Sequence, residues 1–151
     1  MQSELINVPF TLTDNYSTAP TFGSASAAGA DLYASLPTDV NVIINPGETK
    51  MISAGIKTEI PEGYVGLIFA RSGLATKQGL APANKVGVID SDYRGEWFVA
   101  LHNHSNEAKT ISSGERIAQV IIMPVPKFQF EQVQELNSTE RGEGGFGSTG
   151  K

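Results

Sequence analysis

The sequence predicts an all-β fold from three observations: short runs of alternating apolar residues, turn-forming residues at close intervals between them, and a single stretch with helical character. A period of two places every second side chain on one face, so each run reads as a half-buried strand. The runs are Val40, Val42 and Ile44; Val65, Leu67 and Phe69; Trp97, Val99 and Leu101; and Phe128 with Phe130. "NPGE" at 45–48, "PEG" at 61–63 and "SGE" at 113–115 supply the turns, and short strands with such punctuation indicate a sandwich or barrel. The helical exception is "SGLATKQG", Ser72 to Gly79, bounded by glycine and only about two turns long. At 151 residues, with no internal repeat or interdomain linker, one globular domain is expected. The apolar pattern stops after Leu136. This predicts a barrel domain over 1–136 and a flexible C-terminal arm over 137–151.

Composition narrows the function. With 11 Lys+Arg against 16 Asp+Glu, the net charge of -5 argues against a nucleic acid polymer as partner, since such proteins carry a basic face. A small anion held by a few local arginines remains compatible. The absence of cysteine removes disulfides, thiolate nucleophiles and zinc-thiolate sites. His102 and His104, two apart in "LHNHSN", have no third ligand nearby and read as polar residues at a strand end rather than a metal site. "MQSELINVPFTLTDNY" has neither a basic n-region nor a long apolar run, so no signal peptide or membrane segment is expected and a cytoplasmic location is.

Four clusters place polar or glycine residues where a plain sandwich would not need them. In "AGADLYA", Asp31 sits within an apolar strand; a carboxylate there is paired, hydrated or near a cation, or else it marks a strand end. In "ARSGLA", Ser72 and the amides of Gly73 and Leu74 begin the helix and suit phosphate oxygens, with Arg71 adding charge; an ordinary serine N-cap explains the same residues. "NKVGVIDSDYRGEW" is the most informative. Gly87 permits a close backbone approach, Asp90 follows the apolar pair Val88 and Ile89 as a carboxylate able to act as a base on water, and Tyr93 offers a ring face to a sugar. A β-turn over "DSDYRG" accounts for part of this pattern. In "GERIAQVII", Gln119 interrupts an apolar strand and either holds a water or faces outward.

The last stretch, "RGEGGFGSTGK", spells both G-x-G-x-x-G and G-x-x-x-x-G-K. Both templates need a helix after the glycines, and only Lys151 follows, so neither is expected to operate. A disordered Gly/Ser tail is the plain alternative, yet Arg141, Phe146, Ser148 and Thr149 are unusual in a bare linker.

Taken together, "AGADLYA", "RSGLA", "GVIDSDYRG", "GERIAQ" and "RGEGGFGSTG" resemble the five ordered motifs of the trimeric dUTPase family, over residues 28–150. The resemblance implies a small jelly-roll-like β-barrel assembled as a homotrimer with shared active sites. It implies hydrolysis of dUTP to dUMP and pyrophosphate, which keeps uracil out of DNA and supplies dUMP for thymidylate synthesis. Asp90 would be the general base for water attacking the α-phosphorus, and Gln119 would help orient that water. Asp31 would hold waters of a Mg²⁺ carried by the triphosphate. Arg71, Ser72 and Gly73 would contact the phosphates. The hairpin from Asn84 to Ile89, with Gly87, would read uracil through main-chain groups, and Tyr93 would pack under the deoxyribose and refuse a 2'-hydroxyl. The arm would stack Phe146 on the base and bring Arg141, Gly147, Ser148 and Thr149 to the phosphates, closing as a lid. Ala70 departs from the proline the family commonly has there, and Arg116 is assigned to structure or interface. A dCTP deaminase of the same superfamily would need a further acidic residue, and none is evident. A protein that chiefly binds a regulatory partner would be expected to carry an inserted segment, for which the motif spacing leaves no room.

Overall fold

The computed structural model describes residues 5–148. In chain order the elements are β1 (Phe10–Leu12), β2 (Thr21–Phe22), β3 (Ala30–Tyr33), β4 (Asn41–Ile44), β5 (Thr49–Ser53), β6 (Ile56–Thr58), β7 (Tyr64–Phe69), α1 (Ser72–Gln78), β8 (Leu80–Pro82), β9 (Gly87–Ile89), β10 (Phe98–Asn103), β11 (Lys109–Ser112) and β12 (Arg116–Pro124). The fold is all-β with one short helix, as the alternation predicts. The barrel is open, however. Every pairing is antiparallel, and the strands form four separate sheets: β2-β3-β12-β7-β9, β5-β10-β8, β11-β4 and β1-β6. Among the described residues no ladder runs continuously around the molecule, so β2 and β9 remain edge strands of the largest sheet.

The sheets share one core. Trp97, Val99 and Leu101, the clearest alternating run, are buried in it beside Leu32, Ile44, Ile52, Ile56, Leu80, Ile111 and Ile117. The same face of β10 ends in Asn103, which is fully buried. Its amide nitrogen donates to the carbonyls of Ile44 and Glu107, both at 2.8 Å, and its Oδ1 accepts from the Ser105 amide at 2.9 Å and the Ser105 hydroxyl at 2.7 Å. Four satisfied bonds make this polar residue a tie between β4 and the turn after β10. The flanking histidines point elsewhere: His102 Nδ1 is 2.9 Å from Thr49 Oγ1, and His104 Nε2 is 3.1 Å from the Ala75 carbonyl.

Three expectations are corrected. Phe128 and Phe130 form no strand; they are 75% and 95% exposed, stacked edge to face at 5.6 Å. Alternation reports an apolar face but not what covers it, and no described residue covers that one. In β7 the fully buried face is Gly66 and Ile68, while Val65, Leu67 and Phe69 are half-buried on the other side. At α1 the N-cap position belongs to Arg71 (φ -90°, ψ 131°), one residue before Ser72, and no side chain caps the helix. Gly79, at φ 72°, ends α1 by donating its N–H to the Leu74 carbonyl. Among the described residues no helix is long and apolar enough to cross a membrane.

Candidate active site

Three of the motif clusters meet at one end of the five-stranded sheet. Gln119 on β12 lies opposite Asp31 on β3 and, on its other side, opposite Phe69 at the end of β7. The chain leaves β7 through Ala70 and Arg71 into α1. Asp31, whose side chain is 13% exposed, accepts from Arg71 Nε at 2.8 Å and lies 3.5 Å from Arg116 Nη1. Of the possibilities its position left open, ion pairing is the one realised, which offsets the cost of removing the carboxylate from water. Gln119 Nε2 donates to the Ala70 carbonyl at 2.9 Å. Its Oε1 occupies the space of a side chain at Gly29: a Cβ there would lie 2.6 Å away. Sequence spacing does not reveal Gly29, because its partner is ninety residues distant; the signal is a glycine two residues before the unusual aspartate.

Ser72 and Gly73 open α1 and are exposed. With Ser72 making no cap bond, its hydroxyl is not committed to the helix. Beside them is a polar hollow of about 460 Å³ lined by Arg71, Gly73, Lys77 and Arg116 among others. The hollow thus has three cations and one carboxylate, Glu115, around it, a local excess of positive charge on an acidic chain, and Arg116 belongs to it as well as to Asp31.

The third cluster runs along the other side of β7, with Gly87 opposite Ile68 near the Gln119 end and Ile89 opposite Gly66, so that Asp90 lies toward the far end. The expected hairpin from Asn84 to Ile89 is not a paired hairpin: β8 pairs with β10, whereas β9 pairs with β7, so the turn crosses between sheets. Lys85 takes φ 66° in that turn, and Asn84 is exposed. Gly87 packs on Ile68, where a Cβ would meet Ile68 Cβ at 3.1 Å, so the close approach it permits is to β7. The outer edge of β9 pairs with no other strand among the described residues, leaving main-chain donors and acceptors available there.

Asp90 follows β9 and is exposed. The Tyr93 N–H donates to its carbonyl at 3.1 Å, and Arg94 Nη1 donates to the Ser91 carbonyl at 2.7 Å, closing the turn that "DSDYRG" suggests. A recess of about 240 Å³ lies beside it, lined by Val88, Ile89, Asp90, Tyr93, Trp97 and Phe98 among others. Glu96, passed over in the sequence, lines it too. Its Oε1 accepts from Ser53 Oγ at 2.5 Å and lies 3.3 Å from Thr13 Oγ1. That carboxylate is tied into the barrel.

Among the described residues, the hydrogen bonds of the arm are all internal to it. Arg141 Nε donates to the Gly144 carbonyl at 2.7 Å, the Ser148 N–H donates to the Gly145 carbonyl at 3.0 Å, and Phe146 is fully exposed at φ 51° beside Gly147 at φ 84°. Thr149 lies outside the described residues. One chain therefore presents three separate groups. Gln119 aligns with Phe69 and Ile89 with Gly66, three residues along β7 and two strand spacings apart, which separates their Cα atoms by about 14 Å. Asp90 lies one residue further on, so its Cα is further still from that of Gln119 in the same chain.

The dUTPase family profile matches residues 15–150. The deoxyuridine 5'-triphosphate nucleotidohydrolase of Nautilia profundicola is 52% identical over 132 residues, covering 87% of this chain and 90% of that protein. The protein of the same name from Desulfitobacterium hafniense is 46% identical over 151 residues, covering 99% of each. A mutant of Staphylococcus bacteriophage 80alpha dUTPase, solved with dUpNHpp, superimposes with a TM-score of 0.84 at 29% identity, over 96% of this chain and 99% of that one. A profile match over nearly the whole chain, with relatives alike along almost their whole length, establishes that this chain is a member of the dUTPase family.

Proposed function

We propose that this chain hydrolyses dUTP to dUMP and pyrophosphate as a cytoplasmic homotrimer whose active sites are shared between chains. The observation that carries the reaction is the near full-length match to proteins named for it. In the proposed step, the oxygen of a water bonds to the α-phosphorus and the bond from that phosphorus to the pyrophosphate oxygen breaks. The Asp90 carboxylate takes the water's proton, and the Gln119 amide of a neighbouring chain orients the water. Arg71, Ser72 and Gly73 hold the phosphates, where guanidinium and amide donors act on charge as it moves toward the leaving group. Uracil lies along the free edge of β9, read by main-chain groups between Asn84 and Ile89 with Gly87 close to the base. Tyr93 supports the deoxyribose and leaves no room for a 2'-hydroxyl.

The arm over 137–151 serves as the lid. Phe146 stacks on uracil, Arg141, Ser148 and Thr149 reach the γ-phosphate, and Gly147 lets the backbone approach. Sharing between chains is supported by the separation of Asp90 from Gln119 within one chain, and by apolar side chains that await cover, Phe128, Phe130 and Leu136 among them.

Mg²⁺ suits this site only as an ion carried by the triphosphate. The described residues hold no cluster of three acidic or histidine side chains, and Asp31 is a lone carboxylate already bonded to Arg71. Its remaining lone pairs suit the waters of a hard cation that keeps most of its hydration. When bound, the ion offsets triphosphate charge; Asp31 orients its waters while holding Arg71 in place.

Incubation with dUTP and, separately, with dCTP tests the reading. The expected products are dUMP and pyrophosphate from dUTP, with dCTP unchanged. Uracil nucleotides formed from dCTP would replace hydrolysis with deamination.

A further inference from the structure

The Tyr93 ring rests on Gly95. A Cβ built at Gly95 would lie 2.5 Å from Tyr93 Cζ and 2.8 Å from Cε2, and closer still to the hydroxyl oxygen. Real side chains do not approach that closely, so any residue but glycine at this position displaces the ring. Gly95 is not among the residues with positive φ. Its backbone conformation is open to alanine, and the three atoms nearest a Cβ there all belong to the Tyr93 side chain. The far end of the ring is fixed as well, since the Tyr93 hydroxyl donates to the Glu96 carbonyl at 2.9 Å. Glu96 is itself anchored through its side chain, by Ser53 on β5 and Thr13 in the loop after β1. The next residue, Trp97, is 2% exposed and locked in the core. A flexible aromatic on an exposed turn is thereby given one position, from below by the missing side chain of Gly95 and at its tip by a carbonyl tied to the barrel.

We propose that Gly95 and Glu96 are specificity-determining positions for the sugar, acting as positioning residues that set the height and tilt of the Tyr93 ring in the nucleoside recess. The inference rests on the reading of Tyr93 as the sugar platform. With the ring seated on Gly95, the recess closes under the C2' position. A ring lifted by a Cβ at 95, or freed from the Glu96 carbonyl, no longer fits the deoxyribose closely and admits a 2'-hydroxyl. Discrimination built on shape alone falls quickly when that shape is loosened.

The test compares kcat/KM for dUTP and for UTP in the parent and in the Gly95→Ala, Tyr93→Phe, Glu96→Ala and Tyr93→Ala variants, with circular dichroism as a check on folding. Gly95→Ala should lower the dUTP-to-UTP ratio by about tenfold or more, approaching Tyr93→Ala. Tyr93→Phe, which removes only the bond to the Glu96 carbonyl, should lower it less, and Glu96→Ala should match Tyr93→Phe. If Gly95→Ala and Tyr93→Phe lose activity equally on both nucleotides, their role is merely structural and the proposal is overturned. If Tyr93→Ala relaxes selectivity while Gly95→Ala and Tyr93→Phe keep the parent ratio, the positioning device is wrong but the sugar platform stands. An unchanged ratio in Tyr93→Ala removes the platform itself. Should Gly95→Ala fail to fold, Tyr93→Phe and Glu96→Ala decide the matter by the same ratio.

Discussion

The end of the large sheet that holds Asp31, Arg71 and Gln119 and the arm that holds Arg141 and Phe146 are proposed to meet the same triphosphate, and they are built in opposite ways. At the sheet end Asp31, Arg71 and Gln119 each have a partner on a different strand or loop: Arg71 on Asp31 at 2.8 Å, Gln119 on the Ala70 carbonyl at 2.9 Å and against Gly29. In the described part of the arm, the Arg141 side chain bonds a carbonyl three residues away and Phe146 is fully exposed. Groups fixed before substrate arrives need little further ordering, whereas an arm that closed as proposed would lose conformational entropy each time. The sheet end is suited to hold charge in place, and the arm to make closure depend on a complete nucleotide.

The largest expected effect belongs to neither region. Asp90→Asn keeps the shape of the side chain but cannot accept the proton, so kcat should fall by about a thousandfold with nucleotide affinity retained; isothermal titration beside steady-state kinetics checks both. Next, truncation before Arg141 should reduce kcat by about a hundredfold through loss of the lid while leaving the thermal transition in place. A melted truncate would make the arm part of the fold. Gly29→Ala should then cost about tenfold in kcat with KM little changed, because the new Cβ drives Gln119 from its position, and an unaltered kcat would show that Gln119 needs no such seat.

The smallest effects separate the regions most cleanly. Arg71→Ala leaves a largely buried carboxylate short of its main partner and should destabilise the protein by about 1–3 kcal/mol. Arg141→Ala, on the exposed arm, should change stability by less than about 0.5 kcal/mol. Equal losses in thermal denaturation would erase the contrast.

Much of the fold was legible in the sequence, and the failures have physical causes. Trp97, Val99 and Leu101 alternate because one face of β10 is core, and α1 lies within one residue of its expected span because Gly79 ends it. The cap was misplaced because serine usually takes that position; here the backbone turns at Arg71, whose side chain is engaged with Asp31. Phe128 and Phe130 carry a strand's spacing without a partner strand among the described residues. At the site, the motifs announced the residue types, but the contacts of Gly29 with Gln119 and of Glu96 with Ser53 join segments far apart in sequence, which spacing alone does not encode.

That Asp90 and Gln119 act together only across chains is tested most directly by complementation. Asp90→Asn and Gln119→Ala chains, each nearly inactive alone, are co-assembled in equal amounts and assayed for release of pyrophosphate from dUTP. A site drawing Asp90 from one chain and Gln119 from another regains both intact residues in about one site in four of a random mixture, so activity should rise well above that of either variant. Activity that stays at the level of the separate variants would place Asp90 and Gln119 of the same chain in one site and contradict the shared arrangement.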